Sequence, residues 1–187
     1  MFRYLSIGVL MLSGGAAMAD GPSYSYIEGL YQEVDVDGGD GDGYTVSGSV
    51  AINESWYVFA DYSGAELDAG PFTADYDRFA LGAGWHSAIS DKTDWFVSAS
   101  YVNAELSANG FGSVDESGLG ASIGIRSMFS PKLELSGALR YSDPEEETGV
   151  RAEAWYTLTG NFAIGLRAEV GDEINTYGLG IRLYFDK

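Results

Sequence analysis

The chain has 187 residues, a formal charge of -18, 26 glycines and no cysteine. That length suits one domain, and an acidic balance with so few Lys and Arg excludes a phosphate-binding nucleic-acid surface. The lack of cysteine excludes a disulfide scaffold, which leaves closure by backbone hydrogen bonds for a small exported fold.

Residues 1–19 read as a secretory signal peptide. Met1-Phe2-Arg3 is a short basic start, Tyr4 to Leu12 is apolar apart from Ser6 and Gly8, and Ala17-Met18-Ala19 is a small-x-small cleavage site. The apolar stretch is well short of the ~20 residues that a spanning helix needs. Residues 20–187 are expected to form one domain, and no later run is long and apolar enough for a membrane helix.

Alternation of apolar and polar residues predicts ten strands, at about 24–36, 43–52, 56–67, 75–89, 95–106, 115–129, 133–143, 148–159, 162–172 and 175–186. Eight strands is the alternative count. The first span is ambiguous: Tyr24 and Tyr26 share one parity, Ile27 and Tyr31 the other, and a bulge near Ile27 or Glu28 reconciles them. Tyr44-Val46-Gly48-Val50-Ile52 alternates with Thr45-Ser47-Ser49-Ala51. Trp56-Val58-Ala60-Tyr62 leaves Tyr57 and Phe59 on the inner face, an unusual place for bulky rings. Trp95-Val97-Ala99-Tyr101, Leu119-Ala121-Ile123-Ile125 and Leu133-Leu135-Gly137-Leu139-Tyr141 repeat the pattern.

Strand side chains alternate between faces, so parity maps onto face. Beyond the leader, all six arginines (Arg78, Arg126, Arg140, Arg151, Arg167 and Arg182) take the parity opposite to the apolar residues. One face is therefore greasy and the other carries charge, glycine and serine. This predicts an all-β, closed, antiparallel up-and-down transmembrane barrel with lipid outside and a polar lumen. Asp61, Glu134, Glu153 and Glu169 share the inward parity, so a lumen belt of Arg–carboxylate pairs is expected. A structural plug is the favoured role of that belt; an ion-selecting constriction is the alternative. A soluble barrel with an apolar ligand inside would show the same alternation with the faces exchanged.

Connections alternate in length. Short turns at 53–55, 90–94, 130–132 and 160–161 are expected on the periplasmic side, and longer acidic loops near 36–43, 64–76, 104–116 and 143–148 outside. Those loops are expected to hold Asp37, Asp40, Asp42, Asp68, Asp75, Asp115, Glu145, Glu146 and Glu147. In the first, Asp35, Asp37, Asp40 and Asp42 are spaced by glycine but match neither an EF-hand nor the glycine-rich calcium nonapeptide. A hydrated turn is the plainer role. Weak Ca²⁺ or Mg²⁺ bridging to lipopolysaccharide phosphates is the sharper one, with no dedicated metal site and no cofactor expected. The single histidine, His86, stands beside Trp85 near a short turn, with no adjacent nucleophile motif. It reads as an interface or lumen residue, and the chain as non-enzymatic.

Several segments resemble a family of small Gram-negative outer-membrane β-barrels of similar length. They are Tyr24-Ser25-Tyr26-Ile27-Glu28-Gly29, Val34-Asp35-Val36-Asp37-Gly38-Gly39-Asp40-Gly41-Asp42-Gly43, Asp75-Tyr76-Asp77-Arg78-Phe79, Gly82-Ala83-Gly84-Trp85-His86 and Tyr177-Gly178-Leu179-Gly180-Ile181-Arg182-Leu183-Tyr184-Phe185. The resemblance implies an outer-membrane location. It supplies no activity, although some members are linked to quorum sensing and virulence. Outer-membrane lipid and lipopolysaccharide are the expected partners of the barrel, and a monomer is the expected state. The final strand is similar to the C-terminal signal read by the barrel-assembly machinery, except that Asp186 and Lys187 follow the terminal aromatic.

Overall fold

The structure, a computed structural model, describes residues 21–36, 39–69, 72–108 and 112–185. The expected leader, Asp37, Asp186 and Lys187 lie outside the described residues. Ten strands follow one another: β1 (Tyr26–Val36), β2 (Gly39–Ala51), β3 (Trp56–Ala69), β4 (Phe72–Ser90), β5 (Thr93–Ala108), β6 (Gly112–Ser130), β7 (Leu133–Ser142), β8 (Glu147–Thr159), β9 (Phe162–Gly171) and β10 (Ile174–Tyr184). Each pairs antiparallel with its sequence neighbours, and β1 pairs with β10 to close the barrel. Closure leaves no free edge strand, as a sheet in lipid requires; residues 112–119 of β6 extend past β7 and are laddered to β5 alone.

Two expectations about the strands are corrected. The stretches near 36–43, 64–76 and 104–116 are mostly strand, not loop. β4 and β6 reach 19 residues each, and the β3–β4 ladder runs unbroken from Trp56↔Trp85 to Ala69↔Phe72. Asp and Gly enrichment does not stop a ladder whose alternation persists, with Glu66 and Asp68 outward and Ala65 and Leu67 inward. The bulge near Ile27 is also absent. β1 keeps continuous register with both neighbours, from Tyr26↔Tyr184 to Val36↔Ile174 and from Tyr26↔Ser49 to Val36↔Gly39. Register shifts occur instead next to three of the short turns, at Ala88/Ser90, Met128/Ser130 and Thr157/Thr159.

The barrel is inverted relative to a soluble one. Leu166, Leu179 and Ile181 are 60%, 62% and 54% exposed, while Arg167 and Arg182 are 7% and 1% exposed. This rules out the soluble barrel with an apolar interior. Tyr31, Tyr44, Tyr62, Tyr101, Tyr141 and Tyr177 ring the outside toward the long hairpins. Trp56, Trp85, Trp95, Phe129 and Phe185 lie outward near the short turns. Tyr and Trp favour the two membrane interfaces. The two rows are six residues apart on β3 and β5, roughly 20 Å of strand. Beyond the tyrosines the outer face turns acidic. Glu33↔Asp42↔Glu66↔Asp75 form one row across four strands, and Asp35↔Asp40↔Asp68 another across three.

Inward rings fit because glycine lies beside them. Tyr57 pairs with Gly84, Phe59 with Gly82, Phe96 with Gly124 and Trp155 with Gly165. A Cβ on Gly165 would stand 2.4 Å from Trp155 Cε3 and 2.7 Å from the Ala154 carbonyl oxygen. Gly165→Val is therefore expected to destabilise the barrel by about 1–3 kcal/mol, the usual cost of overpacking. Urea unfolding of the refolded protein measures this. In a Trp155→Ala background the penalty should shrink, because the ring that meets the new side chain is gone.

Candidate functional site

The lumen is crossed by a network of ion pairs. At the end bearing the short turns, Arg182 on β10 is the hub. It contacts Glu28 at 2.6 Å and both Glu134 and Glu153 at 3.1 Å. Its guanidinium lies between two rings, 4.1 Å from the Tyr26 centroid and 4.0 Å from the Trp155 ring. A planar cation suits this position because it can stack and donate hydrogen bonds at once. Arg167 joins Glu28 and, at 2.8 Å, Glu153. Arg126 holds Glu134 at 2.6 Å. Trp155 Nε1 donates to Glu153 and the Tyr184 hydroxyl donates to Glu134. Three guanidinium groups thus meet three carboxylates in a closely packed section, where an unmatched charge is costly.

Toward the long hairpins the pairs are looser. Arg78 binds Asp61 at 2.6 Å and Glu145 at 3.2 Å. Arg140 and Arg151 share Glu169. The ten charged residues expected on the inner face thus all point into the lumen, and the structure adds Glu28, Glu145 and, at the hairpin end, Glu147, a residue expected in an external loop. Glu145 is a correction. Its position in a connection predicts an external loop acid, but the tight turn at 143–146 folds it inward, where Tyr76 and Arg78 donate to it. Burial alone would raise the Glu145 pKa; the Arg78 charge and the hydrogen bonds outweigh it and hold the carboxyl below its usual range. Glu28 escapes the sequence-based belt because the register of the first strand is open there. The signal for it is Ile27 and Tyr31, whose outward parity forces Glu28 in.

The segment just before β1 folds against the inner wall at the turn end. Arg126 donates to the Ser23 carbonyl at 2.9 Å, and Ser49 Oγ donates to the Tyr24 carbonyl at 2.8 Å. The Tyr24 ring stacks on His86 at 3.8 Å and lies 4.4 Å from the Arg126 guanidinium carbon. His86 is an inner-face residue at this end, with Nδ1 3.0 Å from Asp94 Oδ2. It does not line the lumen cavity.

The described aspartates of the first hairpin, Asp35, Asp40 and Asp42, do not converge on a point. Asp35 and Asp40 are cross-strand partners, and Asp42 lies between Glu33 and Glu66. No cluster of three or more His, Cys, Asp or Glu suited to a metal ion occurs among the described residues.

No family model matches the chain. No curated protein matches it either. Solved structures with a similar fold include the KdgM porin, with a TM-score of 0.54 at 10% identity over 84% of this chain and 98% of that one. The outer-membrane protease OmpT from Escherichia coli gives 0.53 at 9% identity over 86% and 93%. The translocator domain of the autotransporter NalP from Neisseria meningitidis gives 0.50 at 11% identity over 84% and 86%. At such low identity the likeness is one of fold. The architecture of this chain is that of Gram-negative outer-membrane β-barrels.

Proposed function

We propose that this chain is an exported, monomeric, integral outer-membrane barrel that does not conduct. Its lumen is plugged at the periplasmic end, and its role is structural and surface-interactive. The observation that carries this reading is Arg182, stacked between Tyr26 and Trp155 and tied to three carboxylates across the narrow section. The short turns support assigning that end to the periplasm, and the long hairpins to the cell surface. Above the tyrosine row, directly opposed carboxylates repel one another. They would also repel lipopolysaccharide phosphates, so contact with that leaflet goes through bound cations, the weak bridging role expected for the Asp35–Asp42 region. No catalytic role is assigned to His86, which lies beneath Tyr24 at the closed end.

In planar bilayers the purified barrel is expected to insert without steady single-channel conductance. Stable, ion-selective steps in most insertions would instead favour a small-solute or ion pore.

A further inference from the structure

The lumen is not filled over its whole height, and the open part has two unlike walls. The Arg182, Glu28 and Glu134 side chains are 1–2% exposed, whereas Glu169, Arg140 and Arg151 reach 19%, 22% and 28%. Exposure thus rises toward the hairpin end, and a cavity of about 250 Å³ runs along the lumen, lined from Tyr24 and Arg182 at the turn end to Val36 and Leu67 at the hairpin end. That is the share of roughly eight liquid waters.

One wall is cationic. Arg140 reaches one oxygen of Glu169, and Arg151 reaches the other through Nε at 2.8 Å and Nη2 at 2.7 Å. Two guanidinium groups therefore share a single carboxylate, while Arg78 alone takes two. A guanidinium has five N–H donors. Nε and Nη2 of Arg140 and Nη1 of Arg151 meet no protein acceptor among the described residues. Both arginines line the cavity.

The other wall is apolar. Val34, Val36, Leu67 and Ile174 also line the cavity. Val34 and Leu67 flank Gly41, which has no side chain to separate them. Thr176 stands between Val34 and Glu169 in the same cross-strand row, so the two walls are a few strands apart. At the lip, Glu147 accepts from the Ile174 backbone N–H and adds a negative charge.

We propose that this cup binds a small monocarboxylate with a short apolar body. The carboxylate takes the spare donors of Arg140 and Arg151, in the charge-assisted geometry that guanidinium favours. The alkyl part lies along Val34 and Leu67. Glu147 and Glu169 disfavour dianions and longer polyanions. The site rests on the proposed function, in which the lumen is closed at one end and open at the other.

The test is titration of hexanoate, hexanol and inorganic phosphate into the refolded barrel in zwitterionic nanodiscs, followed by calorimetry. Hexanoate should bind saturably at one site, at least tenfold more tightly than hexanol or phosphate. Arg140→Gln and Arg151→Gln should each weaken it at least tenfold, and Val34→Ser several-fold. Each variant leaves Glu169 one cation, and heat-modifiable gel migration checks folding; should one misfold, the other supplies the readout. Undiminished binding in both Gln variants would mean partition into lipid and would overturn the site. Phosphate binding as tight as hexanoate would mean a bare anion site, and that too overturns it, as does the absence of saturable binding. A barrel that conducts yet binds hexanoate through Arg140 and Arg151 sinks the occluded-lumen reading alone. A silent barrel that binds nothing sinks the cup alone.

Discussion

Arg182→Met should destabilise the barrel by about 3–5 kcal/mol, the range for removing one partner of a buried ion pair. The methionine fills much of the slot between Tyr26 and Trp155, so the loss is mainly electrostatic. Glu28, Glu134 and Glu153 would be left with only Arg126 and Arg167. Three carboxylates against two guanidinium groups leave one charge uncompensated in a section with little access to water. Glu28→Gln added to Arg182→Met restores the balance and should recover more than half of the loss. Urea unfolding and refolding of the wild type, both singles and the double in lipid bilayers gives the full cycle. A cost under about 1 kcal/mol for Arg182→Met, well below the buried-pair range, would show that water reaches this section, and the plug would fail with it.

The second large effect tests the outer face. Leu179→Arg places a guanidinium on the lipid side in the middle of β10, where Leu179 is 62% exposed beside Leu166. The expected cost is about 2–4 kcal/mol near the bilayer midplane, falling toward about 0–1 at the interfaces. Ser113→Arg, on the exposed part of the β5–β6 hairpin, should stay within about 0.5 kcal/mol. Equal and small costs at both positions would remove the membrane from the account, because a water-facing leucine tolerates the same change. Native Arg182 is only three residues from Leu179 but on the opposite parity, so the pair of sites separates face from position.

Parity makes the arginine belt legible in the chain itself, because a strand has a period of two and a misplaced arginine in lipid is expensive. The same logic gives little in β1. Leu30 and Val34 are apolar and buried inside, Ile27 and Tyr31 are apolar and outside, and the two sets compete for one register. Leu30 is tolerated inside because it packs against Gly180, whose added Cβ would come within 2.7 Å of Leu30 Cγ. That clearance is a property of a partner strand far along the chain. The acidic hairpins mislead for another reason. Aspartate and glycine lower strand propensity, but propensity is a weak constraint where the ladder is already running.

Outside β1 the sequence by itself determined which residues face lipid and that six arginines must find carboxylates within, and it favoured ten strands over eight. Each follows from alternation, a local property of the chain. The tertiary structure alone decided how the arginines pair with Asp61, Glu134, Glu153 and Glu169, and it added Glu28 and Glu145. Arg182 finds Glu28 from the other end of the described chain, and Arg78 finds Glu145 from a turn. Those partners are set by barrel closure and by the reach of long side chains across a narrow lumen. Neither quantity is encoded in the spacing of residues along one strand.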